Sequence, residues 1–340
     1  MSPLQSSYRF FANAIWDAMT RAFLAPLLLL GSLPAVAQTW PTRPITMVVP
    51  YAAGGPVDTV GRIMAQGLSE TLGQQVIVEN VAGGGGMTGA NRVAKAAPDG
   101  YIFLLGGSAT MTIVPAINGK RTLYNPLTDF EHVIQFADSS RVLIARKDFP
   151  ANTLKEFAAY AKENHDKMQF GSAGAGSGMH LCAVLLNEAI GEKIIHVPYR
   201  GSALALQDLL AGRIDYLCDQ ISTAVQQIRA GSVKPIATMG LSRADVLPDL
   251  PTAKEQGFDL DCASLSAFSL PKGTPEPIVR KLAEATNKAV ETRFVRERLE
   301  TLGVAVEPPE RRAPGYYAQH LPGELEKAVA VVKAGGLSAE

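Results

Sequence analysis

Three stretches of the chain combine glycine, small residues and hydroxyls in a way suited to holding an anion. They are Tyr51-Ala52-Ala53-Gly54-Gly55, Gly106-Gly107-Ser108-Ala109-Thr110 and Gly171-Ser172-Ala173-Gly174-Ala175-Gly176-Ser177. Each follows a short apolar run of strand type, and in open α/β sheets the carboxyl ends of parallel strands form the ligand edge. Two of the three lead into a helix: Pro56 suits a first helical position, and Ser177 is a hydroxyl N-cap ahead of His180 and Leu181. At a helix start the unpaired N–H groups and the positive dipole end attract an anion without any arginine. The dipole contributes roughly 0.3–1 kcal/mol. For one loop alone, sharp turning accounts for the glycines better. Two helix-entry loops in separate halves of the chain bring the anion reading level with it.

Other chemistries fit less well. Gly84-Gly85-Gly86-Met87-Thr88-Gly89 matches G-x-G-x-x-G, but a dinucleotide site also needs an acid about 20 residues on. The next strand ends in Leu104-Leu105-Gly106, without one. Ser177 lies outside a G-x-S-x-G setting. With His180 three residues away it could still form a nucleophile–base pair, lacking an obvious third member. The five histidines are scattered with no H-x-x-x-H, so neither a metal nor any other cofactor is expected. Asp58, in the first turn of its helix, favours the dipole and caps the loop. Asp219 stands at a strand end, where contact with a ligand's distal polar group and simple solvation are equally good readings. Tyr199 sits in a turn after a strand, where packing is the default.

The elements that must position these loops follow from periodicity. Residues 44–51 read as a buried strand. Val57, Val60, Met64, Leu68 and Leu72 then form one helix face ending at Gly73. Strands at 75–79 and 101–105 flank a short helix at 88–96. From Val142 the alternation resumes: strands at 142–145, 168–170, 194–197, 214–218 and 233–239, with helices between them. Thr153 and Glu156 fit a capping box. A long charged helix is expected over 276–302 and a last one over 316–333. Repeated strand–loop–helix units imply crossovers and mixed, mostly parallel sheets with helices on both faces, an α/β fold. Val142 and the 266–270 stretch read as two crossings between lobes: 38–140 with 267–340, and 141–266.

The chain has 340 residues, 47% hydrophobic and 19% charged, with 32 basic and 32 acidic residues. That balance excludes a disordered chain and gives no basic footprint for nucleic acid. Three cysteines without C-x-x-C spacing argue against a zinc or redox framework. Arg9 and Arg21 precede an apolar run at 22–33, too short to span a bilayer, and Ala35-Val36-Ala37 follows it. This order reads as a signal peptide of residues 1–37, cleaved after Ala37, so the product is exported. A retained anchor helix is the alternative.

The loops and their order resemble the Bug-type periplasmic solute-binding proteins, receptor subunits of tripartite tricarboxylate transporters. The resemblance rests on Arg43-Pro44-Ile45, Pro50-Tyr51-Ala52-Ala53-Gly54-Gly55-Pro56 with Asp58 and Arg62, Val78-Glu79-Asn80 and Pro98-Asp99-Gly100-Tyr101. Further on it rests on Gly174, Gly176-Ser177, His180-Leu181, Val197-Pro198-Tyr199-Arg200-Gly201, Gly212-Arg213-Ile214-Asp215 and Pro271-Lys272-Gly273-Thr274-Pro275. It covers essentially the whole exported chain. It implies a two-lobed periplasmic-binding-protein fold of the type II, Venus-flytrap kind. It implies a non-enzymatic monomer that binds a small organic carboxylate and docks transiently on membrane transporter subunits. The carboxylate is expected at Tyr51–Gly55 and at Gly174, Ala175, Gly176 and Ser177. Ser108, Thr110, Tyr199 and Asp219 take the positions that read the rest of the ligand. Leu265-Ser266 departs from the family, where an aromatic pair is common. Cys182, Cys218 and Cys262 lie outside the pattern, and in an oxidising compartment Cys218 and Cys262 are the pair considered for a bridge. Presentation of the ligand to a sensor kinase, an exported serine hydrolase using Ser177 and His180, and a structural lobe with no ligand are the competing readings.

Overall fold

The computed structural model describes residues 40–334 and 337. The signal-peptide segment and its cleavage point after Ala37 lie outside the described residues. The apolar run Ile45–Val49 forms β1 and is buried except at Thr46, as a strand covered on both faces requires. Helix α1 (Pro56–Leu72) ends at Gly73, whose left-handed φ of 68° lets its N–H reach back to the Ser69 carbonyl. Strand β2 (Val76–Asn80), helix α2 (Met87–Ala94) and strand β3 (Ile102–Gly107) complete the first crossovers. β1 pairs in parallel with both β2 and β3. A short helix α3 (Val114–Asn118) precedes β4 (Phe130–Ser139), and a single residue, Ser140, separates it from β5 (Arg141–Arg146).

The second alternation then runs α4 (Leu154–Asn164), β6 (Gln169–Ser172), α5 (Gly178–Ile190), β7 (Ile195–Pro198), α6 (Ser202–Leu210), β8 (Tyr216–Gln220), α7 (Ile221–Arg229) and β9 (Val233–Thr238). Thr153 caps α4 through the expected box with Glu156. After residues 239–263 come β10 (Ser264–Pro271), α8 (Glu276–Glu291), α9 (Arg293–Thr301), β11 (Val304–Val306) and α10 (Tyr316–Ala334). Among the described residues, no helix is long and apolar enough to cross a membrane.

Among the described residues the strands form two sheets, ordered β11-β4-β10-β3-β1-β2 and β7-β6-β8-β5-β9. The result is a two-domain α/β fold. The chain passes between the sheets at Ser140 and again within 239–263, so residues 266–270 lie inside β10 rather than in a passage. Both sheets are mixed. β10 runs antiparallel to β3 and β4, and β5 runs antiparallel to β8 and β9. The expected single helix over 276–302 is two. Thr292 is extended between them and its hydroxyl accepts from the Val295 N–H, capping the second. A hydroxyl cap competes locally with helix continuation.

Each sheet has its own aromatic core. Phe268 meets Phe103 edge-on at 5.1 Å and stacks on Phe136 at 4.6 Å in the first. Phe157 meets Phe149 and Tyr216 in the second. The second core also holds a Cys182–Cys262 disulfide, so the pairing of Cys218 with Cys262 is corrected. Cys218 is a free, buried thiol, and burial pushes its pKa up to about 12. The bridge ties α5 to the passage that re-enters the first sheet. It closes a separation of 80 residues, for which the denatured-chain entropy argument gives about 4.5 kcal/mol. Thiol titration should therefore find Cys218 alone, and only after denaturation. A Cys182→Ser variant should unfold at lower denaturant by that amount.

Candidate functional site

A cavity of about 50 Å³ lies between the two sheets, room for on the order of four waters or a small molecule. One wall comes from the first sheet: Tyr51, the start of α1 at Pro56 and Val57, the end of β3 at Leu105–Gly107, then Ala109 and Thr110. The other comes from the second sheet: Ala173 after β6, Ser177, Gly178 and Met179 at the start of α5, Ser202 at the start of α6, and Gln220, which precedes α7. Arg141 and Ser264–Ser266, beside the two crossings, complete the lining. Four helices thus begin at one cavity. Each start leaves N–H groups without intrahelical partners and adds a positive dipole end.

The strands approach closely here because glycine allows it. Gly107 has φ 145°, and a Cβ there would stand 1.8 Å from the Leu265 carbonyl of β10. A Cβ on Gly85 would stand 2.7 Å from the Ala175 carbonyl across the sheets. The glycine run at 83–86 thus serves close backbone approach.

The expected anion loops divide into residues that line the cavity and residues that support it. Tyr51 lines it. Its hydroxyl donates to the Gly85 carbonyl at 2.9 Å, and burial pushes its pKa up to about 12. Ala52, Ala53, Gly54 and Gly55 do not line it. Ala52 and Gly55 pack instead against Gly201 and Ser202 at the start of α6. The Gly54 N–H is already committed to Asp58 Oδ2 at 2.9 Å. Asp58 is buried and also accepts from Arg62 Nε and Asn80 Nδ2. Burial alone would raise its carboxyl, but these hydrogen bonds hold it below its ordinary range. It is the knot of the first loop and touches no part of the cavity.

In the second loop the Gly174 N–H donates to Ser172 Oγ, the Gly176 N–H to His180 Nδ1 and the Ser177 N–H to the Gly174 carbonyl. Gly174, Ala175 and Gly176 shape the turn between Ala173 and Ser177, both of which line the cavity. The Ser177 hydroxyl accepts from the His180 N–H at 3.3 Å, which leaves Gly178 and Met179 as the lining amides with no intrahelical acceptor.

Of the distal positions, Thr110 lines the cavity, its hydroxyl shared with the Gly107 main chain. Ser108 does not, because its hydroxyl accepts from the Leu265 N–H at 3.1 Å and joins β10 to the first sheet. Tyr199 and Asp219 also lie outside the lining. Tyr199 donates to Asp208 Oδ2 at 2.7 Å, away from the cavity. Asp219 is fully buried, with Oδ1 accepting from Gln220 N–H and Oδ2 from the Thr223 hydroxyl. Burial raises its pKa to about 6.

Sequence reasoning missed Arg141, Ser202 and Gln220. Arg141 is 5% exposed, stands ahead of the apolar stretch 142–145 and donates through Nη1 to the Cys262 carbonyl at 2.7 Å. Its Nε has no hydrogen-bond partner. A charged residue at the head of a buried strand was the available signal, since such groups are rarely buried unpaired. The Ser202 hydroxyl is likewise buried without a partner.

Behind the second loop, His180 and His196 stack at 4.0 Å. His196 Nε2 meets the Ser172 hydroxyl at 2.7 Å, and His180 Nδ1 accepts from Gly176, so the pair braces both ends of the turn.

Residues 60–337 match the model of the tripartite tricarboxylate transporter family receptor. A UPF0065 protein from the TAR-I ttuE-ttuC' intergenic region of Agrobacterium vitis is 40% identical over 322 residues, 94% of this chain and 92% of that protein. The periplasmic binding protein BugD superposes with a TM-score of 0.85 at 38% identity, covering 88% of this chain and 100% of that one. MatC from Rhodopseudomonas palustris, solved with bound malate, superposes at 0.83 with 40% identity, covering 86% and 100%.

The histidine pair carries a pH signature. Burial lowers both pKa values, that of His196 to about 4 with His180 adding to the effect. Between the unfolded value near 6.5 and that folded value the unfolded chain binds more protons, so this contribution is present above the window and lost as pH falls through it. The unfolding midpoint of the wild type should therefore drop more steeply between pH 6.5 and 4 than that of His196→Gln. Parallel curves would detach the pair from the effect.

Proposed function

Because the chain belongs to the tripartite tricarboxylate transporter receptor family of periplasmic solute-binding proteins, we propose that it captures a small organic carboxylate in the cavity between its sheets and delivers it to membrane transporter subunits. The observation that carries this reading is the convergence of four helix starts on one small cavity whose lining includes a buried guanidinium and no carboxylate. A site of fixed positive dipoles favours a guest of opposite charge. MatC, similar over its whole length, holds malate. A ligand touching both walls shifts the protein toward the state in which the walls approach, since only differential affinity moves such an equilibrium. Export, with cleavage after Ala37, puts the receptor where it meets its solute.

Binding without turnover is the reading favoured over hydrolysis. The Ser177 hydroxyl accepts from a main-chain N–H, and His180 Nδ1 accepts from another. Neither atom is arranged as half of a nucleophile–base pair, which needs them within hydrogen-bond reach of each other.

A thermal-shift screen over small carboxylates tests the proposal. A true ligand at a hundredfold excess over Kd adds about 2.7 kcal/mol, so at least one acid should raise the midpoint by several degrees, and a flat response across the panel would reject it. Ser177→Ala should then weaken the best acid by about 1 kcal/mol, near fivefold, through loss of the cap that orders the Gly178 and Met179 amides. Isothermal calorimetry reads that change directly.

A further inference from the structure

Arg141 is the one charged side chain in the cavity lining, and its surroundings are unusual for a structural arginine. The guanidinium is buried, yet among the described residues it forms no ion pair within 4 Å. Nη1 is held by the Cys262 carbonyl, and Nε has no partner. That leaves the Nε–Nη2 edge, the fork that carries two parallel N–H donors for a carboxylate. The same group stands against the first turn of α5, at the positive end of that helix. A cation there is repelled by the dipole, and a buried charge with one neutral partner is destabilising.

Gly178 makes the arrangement sterically possible. A Cβ at that position would stand 2.1 Å from Arg141 Nη2 and 2.9 Å from Cζ. Gly178 is the first residue of α5, where glycine weakens the helix relative to alanine. The chain thus carries a weak helix former where a side chain would collide with the guanidinium, and keeps a cation that no carboxylate among the described residues pairs within 4 Å, Asp219 and Asp138 acting on it only from farther off. Both are accounted for if the ligand supplies the anion.

Resting on the proposed carboxylate-receptor reading, we propose that the Nε–Nη2 edge of Arg141 receives one acidic group of a ligand that carries two, the other being held by helix-start amides, and that Gly178 is the residue that admits this contact. Arg141 then selects diacids over monoacids of the same length and shape. Burial draws its pKa down while Tyr51, Cys218, Asp219 and Asp138 draw it up, and a bound dianion adds to the second group.

Matched pairs of acids test this, each pair differing by one carboxylate replaced by methyl: succinate and butyrate, glutarate and pentanoate, malate and 3-hydroxybutyrate. Calorimetry on the exported chain should show the best diacid binding at least about tenfold more tightly than its monoacid partner. Arg141→Met should weaken that diacid roughly 10- to 100-fold and leave the monoacid nearly unchanged, without lowering the unfolding midpoint of the free protein. Gly178→Ala should give the same selective loss with the Arg141 side chain still present, and its combination with Arg141→Met should cost no more than either alone. Equal affinity for both members of every pair, or equal loss of both on Arg141→Met with a lowered midpoint, would overturn the assignment and leave the carboxylate-receptor reading standing. Binding of no acid at all overturns both.

Discussion

The guanidinium of Arg141 sits where two sheets face each other, at the mouth of α5, with one carbonyl for company. Most buried arginines are matched by a carboxylate of the same protein, because leaving a charge unmatched inside a fold is strongly unfavourable. Here the nearest acids are otherwise engaged: Asp219 accepts from Thr223 and from its neighbouring main chain, and Asp138 from the Ser139 N–H. No carboxylate lines the cavity beside Arg141 and the four helix starts, and the cavity acquires its chemical character from that.

The rest of the architecture holds this charge in place. β5 starts with Arg141 one residue after the chain leaves the first sheet, so the cation belongs to the crossing itself. The second crossing ends at Cys262, whose carbonyl holds Nη1 and whose sulfur binds Cys182 on α5. Crossing, helix and guanidinium are thus joined by one disulfide and one hydrogen bond. On the opposite side, glycines at 85 and 107 bring main chain against main chain at distances no side chain tolerates, and Gly201 leaves room for the Ala52 methyl.

The supporting residues of the two loops show a division of labour. Asp58 uses both oxygens to hold the loop after β1, and the histidine pair braces the loop before α5. None of these lines the cavity, and the groups they hold do not line it either; they set the turns that lead to Tyr51 and to Ser177, which do. Residues of this kind carry the same sequence signals as ligand contacts, since both are polar, local and placed at strand ends.

What the amino-acid order determined by itself is local. Pro56 opens a helix and Gly73 closes it, Thr153 and Glu156 form their box, and Ser177 caps α5, because each of these depends on neighbours a few residues away. The two-domain α/β fold was legible from the repeated alternation, and the motif order identified the family. Only tertiary structure decided which amides of each loop remain free, that Tyr199 and Asp219 turn away, that Cys182 rather than Cys218 meets Cys262, and that the crossing strands run antiparallel. Some of those outcomes depend on partners far along the chain, such as Leu265, 157 positions from Ser108, and Cys262, 80 from Cys182. Arg141 is the clearest case. Its chain neighbours mark only a buried strand, and its meaning appears when Gly178 and Cys262, 121 residues from it in the latter case, fold against its guanidinium.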